Sequence, residues 1–195
     1  MVKKELQKLK NEEKAKILSR FFKTGKGEYG EGDKFLGIKV PDLRLVAKNN
    51  LNVSLTELQD LLDSDIHEHR LTALLILVEN FKKEQKLEIV DFYLKNLKNI
   101  NNWDLVDLSC PNIIGRYFLK RDRSLLYRLA KSENLWERRI AIVSTYYFIK
   151  NNNFEDTIKI SKMLLGDKHD LLHKAVGWML REVGKKDEAI LIAFL

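Results

Sequence analysis

The sequence predicts an all-α protein, an α-solenoid assembled from repeated two-helix units, and three observations lead there. A charged residue opening an apolar helix just after a turn returns four times, in Glu68-His69-Arg70-Leu71, Val106-Asp107-Leu108, Arg138-Arg139-Ile140 and His173-Lys174-Ala175. Arg70, Asp107, Arg139 and Lys174 stand 37, 32 and 35 residues apart in succession, the length of a helical hairpin with its turns. Only nine Gly and two Pro interrupt the 195 residues, and strand-like alternation is scarce. Repeats of this kind bury one helix face on the next unit and turn the second helix of each pair toward a concave surface, so the four charged positions are expected to line one basic trough. Three are cationic and one is an acid, which singles out Asp107.

Helical periodicity over Leu6 to Phe22 predicts the first helix. The stretch from Lys23 to Asp33 holds four of the nine glycines and is read as a loop, because each glycine costs a helix roughly 1 kcal/mol. Pro41 is a good first helical residue for a helix reaching Asn49, and Ser54 with Glu57 three residues on forms a capping-box pattern for the next. Helices follow over Glu68 to Phe81 and Gln85 to Leu97, with a turn at Asn99 to Asn102. The helix carrying Trp103 and Asp107 meets Pro111, whose missing N–H leaves the Asp107 carbonyl unpaired and predicts a kink or a restart. Arg123 to Ser132, Leu135 to Lys150, Phe154 to Leu165 and Leu171 to Val183 complete the alternation, and one short helix ends it.

With 45% hydrophobic residues, the chain is expected to form one domain over residues 1–195. A single cysteine, Cys110, excludes an intramolecular disulfide and a cysteine-cluster metal site, and fits a reducing cytoplasm. The N-terminus lacks the apolar core of a signal peptide, and no run approaches the roughly 20 apolar residues of a membrane span. The net charge of +7 is spread along the chain, so a polyanion is the natural partner, with solvated lysine-rich helices as the plain alternative.

Few constellations suggest chemistry. Gly27-x-x-Gly30-x-Gly32 has the wrong order for a dinucleotide fingerprint and no strand before it, leaving a connecting loop whose backbone N–H groups could still meet a phosphate. His67 with His69, and His169 with His173, have ligand-like spacing, but no third ligand stands near; His69 and His173 share the repeat phase of Arg138 and are read as surface residues. No metal and no other cofactor is expected. Ser109 and Cys110 read as small residues permitting close helix packing. What remains is Trp103, Asp107, Arg138, Arg139, Lys174, Trp178 and Arg181. Trp103 and Asp107 share a helix face at i, i+4, as do Lys174 and Trp178, with Arg181 three residues further. The competing reading makes each Trp core and pairs each Arg with a nearby Glu such as Glu137 or Glu182. A basic trough interleaved with aromatic faces suits a nucleic-acid backbone.

At these residues the chain resembles the AlkD-like family of DNA alkylation repair proteins, the HEAT-like repeat DNA glycosylases. The matching segments are Phe35-Leu36-Gly37-Ile38-x-x-Pro41-x-x-Arg44, Trp103-Asp104-Leu105-Val106-Asp107, Trp136-Glu137-Arg138-Arg139 and Lys174-Ala175-x-Gly177-Trp178-x-Leu180-Arg181-Glu182. The resemblance implies excision of cationic N3- or N7-alkylpurines from duplex DNA, without a metal. An alkylated purine is already a good leaving group, so the catalyst must mainly stabilise an oxocarbenium-like sugar. Carried across, Asp107 would oppose that charge and position water, and Trp103 and Trp178 would hold the deoxyribose. Arg139 would grip phosphate, with Lys174 and Arg181 as further backbone contacts, and the repeat phase adds Arg138 and Arg70 to the expected DNA-binding residues. Two departures are evident. Members place a tyrosine-bearing helix against the lesion near the N-terminus, whereas Phe21-Phe22 and the Gly-rich loop stand here, so the hydroxyl is absent and the helix itself is in question. The chain also stops at Leu195, where members continue through another helix, and reduced DNA contact is expected at that end.

The leading function is therefore an alkylpurine DNA N-glycosylase acting on duplex DNA, with no membrane and no obligate protein partner evident. A non-catalytic binder of damaged or branched DNA, and a protein-scaffolding solenoid, are the alternatives.

Overall fold

In the computed structural model, which describes residues 1–195, the chain is helical, and its β pairing is an isolated parallel bridge between Lys34 and Ile66. The all-α class expected from the sequence holds. No helix is long and apolar enough to cross a membrane. The chain forms two compact units, Met1–Leu105 and Val106–Leu195.

In the first unit, two helices replace the single one expected over Leu6 to Phe22: α1 spans Val2–Lys8 and α2 spans Glu12–Phe21. Asn11 makes the break. Its side chain accepts from the Lys14 N–H at 2.9 Å, its own N–H donates to the Leu36 carbonyl at 2.8 Å, and Glu12 and Glu13 follow in the first turn. No residue of α2 is fully buried. The helix approaches the body of the unit closely because residue 37 is glycine: its φ is +84°, and a Cβ there would lie 2.1 Å from the Asn11 carbonyl oxygen and 2.6 Å from the Ala15 nitrogen.

Helix α3 (Val40–Asn49) starts one residue ahead of the expected Pro41, which sits in the first turn where no intrahelical partner is lost. Helix α4 (Leu55–Leu62) is capped by Ser54, whose hydroxyl accepts from the Glu57 N–H at 3.2 Å. The reciprocal half of the capping box does not form, because the Glu57 carboxylate accepts from the N-terminal ammonium at 2.7 Å and from the Val2 N–H at 3.2 Å. Helix α5 (His67–Lys83) is the centre of this unit. Leu71 to Val78 is buried on every side, and the helix packs against α1, α3 and α4. In its first turn the buried Glu68 carboxylate accepts from the backbone N–H groups of Leu36, Gly37 and Ile38 at 2.9, 2.8 and 3.2 Å, satisfying an otherwise costly internal charge. Helix α6 (Leu87–Lys95) follows.

Helix α7 (Trp103–Cys110) runs from the end of the first unit into the start of the second. The disturbance expected at Pro111 is a π-helical segment, Pro111–Gly115, continuing into α8 (Arg116–Phe118), so the backbone shifts its pairing by a residue instead of breaking. Helix α9 is Ser124–Leu129. Leu135 to Lys150, expected as one helix, divides at Thr145 into α10 (Leu135–Ser144) and α11 (Tyr146–Lys150). The Thr145 hydroxyl donates to the Ile142 carbonyl at 2.7 Å and competes with the backbone there. Helices α12 (Glu155–Leu164), α13 (Asp170–Gly184) and α14 (Glu188–Phe194) complete the chain. Helix α10 packs on α9, α12 and α13, and α13 packs on α11, α12 and α14, so these two helices carry the core and set the positions of Arg139 and Trp178.

Candidate active site

In the second unit, Asp107 on α7 and Arg139 on α10 form a side-on bidentate pair. Arg139 Nε donates to Oδ1 at 2.9 Å and Nη2 donates to Oδ2 at 2.8 Å, while Nη1 donates to the Leu171 carbonyl at the start of α13 at 2.5 Å. One planar guanidinium thus ties together three helices, which the rigid fork of arginine suits better than the single ammonium of lysine. Arg139 is 5% exposed, and the Asp107 side chain keeps 15% of its surface. The result is a carboxylate fixed in direction, charged, and still reachable.

Arg138, the next residue, turns away from this pair: Nε donates to Asp167 Oδ2 at 2.6 Å and Nη1 to the carbonyls of Ser132 and Glu133 at 2.9 and 2.8 Å. Trp178 on α13 is half-buried, its ring 5.5 Å from that of Tyr146 at 40°, and the Lys150 ammonium sits 4.5 Å over the Tyr146 ring. Lys174 and Arg181 are exposed on α13, Lys174 within 2.9 Å of an exposed Asp170.

In the first unit, Trp103 sits in an aromatic cluster. Its ring stacks on Phe22 at 5.1 Å and 21°, meets the edge of Phe21 at 5.8 Å and 76°, and its Nε1 donates to the Tyr29 hydroxyl at 3.3 Å. Helix α2 is therefore present, correcting the doubt raised by the Gly-rich loop, and that loop itself brings a tyrosine hydroxyl to Trp103. In the sequence Tyr29 is marked only as the one aromatic residue between Lys23 and Lys34. The loop is pinned. The Gly25 and Gly27 N–H groups, candidates for a phosphate, donate instead to the carboxylates of Glu28 and Glu31 at 2.8 Å each, and the Gly30 N–H donates to the Lys23 carbonyl at 3.0 Å.

Beneath this cluster lies a buried charge network whose members stand far apart along the chain. His67, 2% exposed, places Nδ1 3.1 Å from Asp33 Oδ2 and Nε2 2.8 Å from Asp104 Oδ2, and its ring stacks on Phe35 at 4.6 Å. Arg70 Nη2 donates to Asp33 Oδ1 at 2.7 Å and Nη1 to the Ser64 carbonyl at 2.9 Å. Burial alone would push the His67 pKa down, but the charge and hydrogen bond of Asp104, reinforced by Asp33, raise it to about 9. Burial likewise opposes ionisation of Asp33, yet His67 and Arg70 hold its pKa below the ordinary carboxylate value. Two cations and two carboxylates then cancel, joining the end of the Gly-rich loop to the first turns of α5 and α7.

The family described as "DNA alkylation repair enzyme" matches residues 2–195. The chain belongs to that family. Among curated proteins none matches it. A solved structure described as a "Predicted DNA alkylation repair enzyme from Enterococcus faecalis" has a similar fold, with a TM-score of 0.74 and 21% sequence identity over 95% of this chain and 88% of that one.

For a DNA alkylation repair family member, two of the arginines expected on DNA need correction. Arg139 and Arg70 are 5% and 4% exposed, and all three guanidinium nitrogens of Arg139 and both Nη atoms of Arg70 donate inside the protein. Repeat phase put them at helix starts correctly, but a helix start tucked against a neighbouring helix or loop is interior. His69 fails as a surface residue for the same reason: it is buried, 2.9 Å from the Ser64 hydroxyl, and burial followed by the nearby Lys3 lowers its pKa to about 4. His173 is exposed as expected. Lys174 and Arg181 are exposed, as expected.

That difference is measurable. If duplex DNA is bound, Arg181→Ala should reduce the slope of log affinity against log salt by roughly 0.9, the value for one phosphate contact, whereas Arg139→Ala should leave the slope alone and lower the thermal midpoint. Equal changes in slope for both variants would return Arg139 to the DNA surface.

Proposed function

We propose that this DNA alkylation repair family member is a monofunctional N-glycosylase that releases cationic N3- and N7-alkylpurines from duplex DNA. The observation that carries the reading is the Asp107–Arg139 pair, a charged carboxylate oriented by a buried bidentate guanidinium whose third nitrogen is itself held by the Leu171 carbonyl.

Departure of a cationic purine requires little protonation, so the barrier is dominated by the positive charge growing on the deoxyribose. A carboxylate already fixed in place needs no reorganisation when that charge appears, which is the condition under which electrostatic stabilisation is largest. Arg139 holds both Asp107 oxygens in one direction, and in this reading the carboxylate so fixed faces the sugar and orients the attacking water molecule. Trp178 offers a half-buried aromatic face beside Tyr146 and Lys150. Trp103, wedged by Phe22 and tied to Tyr29, is a second aromatic contact with DNA. Lys174 and Arg181 contact phosphate.

Incubation of the purified protein with a duplex carrying one 7-methylguanine tests the reading, with free base and an abasic strand as the expected products. Binding without release would leave a non-catalytic DNA binder, and neither would favour a scaffolding protein.

A further inference from the structure

Glycine inside a helix needs a reason, because alanine is more favourable there by about 0.8–1.0 kcal/mol. Three glycines lie in helical segments of the second unit, and two have a reason in packing. A Cβ on Gly115 would stand 2.2 Å from the Ser144 carbonyl oxygen, and one on Gly184 would stand 2.4 Å from a Leu191 methyl. Gly177, in the eighth position of the 15-residue α13, has none: beyond its chain neighbours and the helix's own nearby backbone, no atom lies within 4 Å of where its Cβ would be, its φ is not in the left-handed region, and the residue is exposed. Nothing within the protein requires the side chain to be missing.

The surroundings of that gap are specific. His173 and Lys174 stand one turn before Gly177 and Arg181 one turn after, all exposed, and Trp178 follows immediately with its ring against Tyr146. A bare stretch of helix backbone flanked by cations above and below is complementary in both shape and charge to a sugar-phosphate strand, which needs close approach and counter-charges spaced along it. We propose that Gly177 is the point at which the DNA backbone comes closest to the protein, the absent side chain letting a deoxyribose-phosphate lie directly against α13 between Lys174 and Arg181. This rests on the DNA-binding part of the proposed function and holds whether or not excision occurs.

The inference predicts an unusual pairing of effects. Gly177→Ala should raise the thermal midpoint by about 2–4 °C, since an exposed helical position gains propensity and loses no contact. The same variant should bind an undamaged duplex about fivefold more weakly, and Gly177→Leu, also a good helix former, should weaken binding by tenfold or more. Binding is measured by fluorescence anisotropy on an unmodified duplex, so it does not depend on catalysis. Raised midpoints with affinity equal to the unmodified protein would overturn the inference while leaving the glycosylase reading intact. Weakened binding in a protein that never releases 7-methylguanine would support the inference and end the glycosylase reading. Failure of the unmodified protein to bind duplex DNA would overturn both.

Discussion

Replacing Asp107 by Asn is expected to lower release of 7-methylguanine about 100-fold, equivalent to about 2.7 kcal/mol of lost transition-state stabilisation. The change keeps shape and removes charge, so it separates electrostatics from packing. Duplex affinity should stay equal or rise, because a group repelling phosphate has gone. The structure adds a second consequence. Arg139 is buried against this carboxylate, and an uncompensated buried cation costs on the order of 3–5 kcal/mol. The thermal midpoint should therefore fall, and rates must be compared below the midpoint of the variant with its helical circular dichroism intact. Unchanged release in a folded Asn variant would remove Asp107 from the mechanism.

Substituting His67 by Ala should destabilise the fold by a comparable amount, about 3–5 kcal/mol, because Asp33 and Asp104 would lose the imidazolium between them. The same residue gives the protein a pH dependence whose direction is fixed. The folded pKa of about 9 lies above the unfolded value of 6.5, so the stabilisation is complete below about pH 6.5 and is lost as pH rises through about 9. The unfolding free energy of the unmodified protein, measured by denaturant titration, should fall by about 3 kcal/mol between pH 6.5 and 9.5, and this alkaline loss should vanish in the Ala variant. A flat profile in the unmodified protein would mean that His67 is not the cation of this network.

Legibility in the sequence followed the range of the interactions. Helices with strong local signals, such as the Ser54 cap or the interruption at Pro111, were readable because propensity and capping act within a few residues. The break at Asn11 carried a local signal that the apolar periodicity on either side overrode. The repeat spacing located Asp107 and Arg139 but not their mutual pairing, which depends on how α7 and α10 pack; the charge that should have faced DNA instead satisfies a neighbour. Asp33, His67 and Asp104 are separated by 34 and 37 residues along the chain, and nothing in a one-dimensional pattern joins them. Tyr29 was hidden for a similar reason, since a Gly-rich loop does not announce where its one aromatic side chain will lie.

The most direct test of the account is whether the unmodified protein releases a cationic base. A duplex containing a single 7-methylguanine, incubated with the full chain and no added cofactor, should yield free 7-methylguanine together with an alkali-labile abasic strand, in amounts exceeding the protein present. A duplex that is bound and recovered with its alkylated base in place would contradict it.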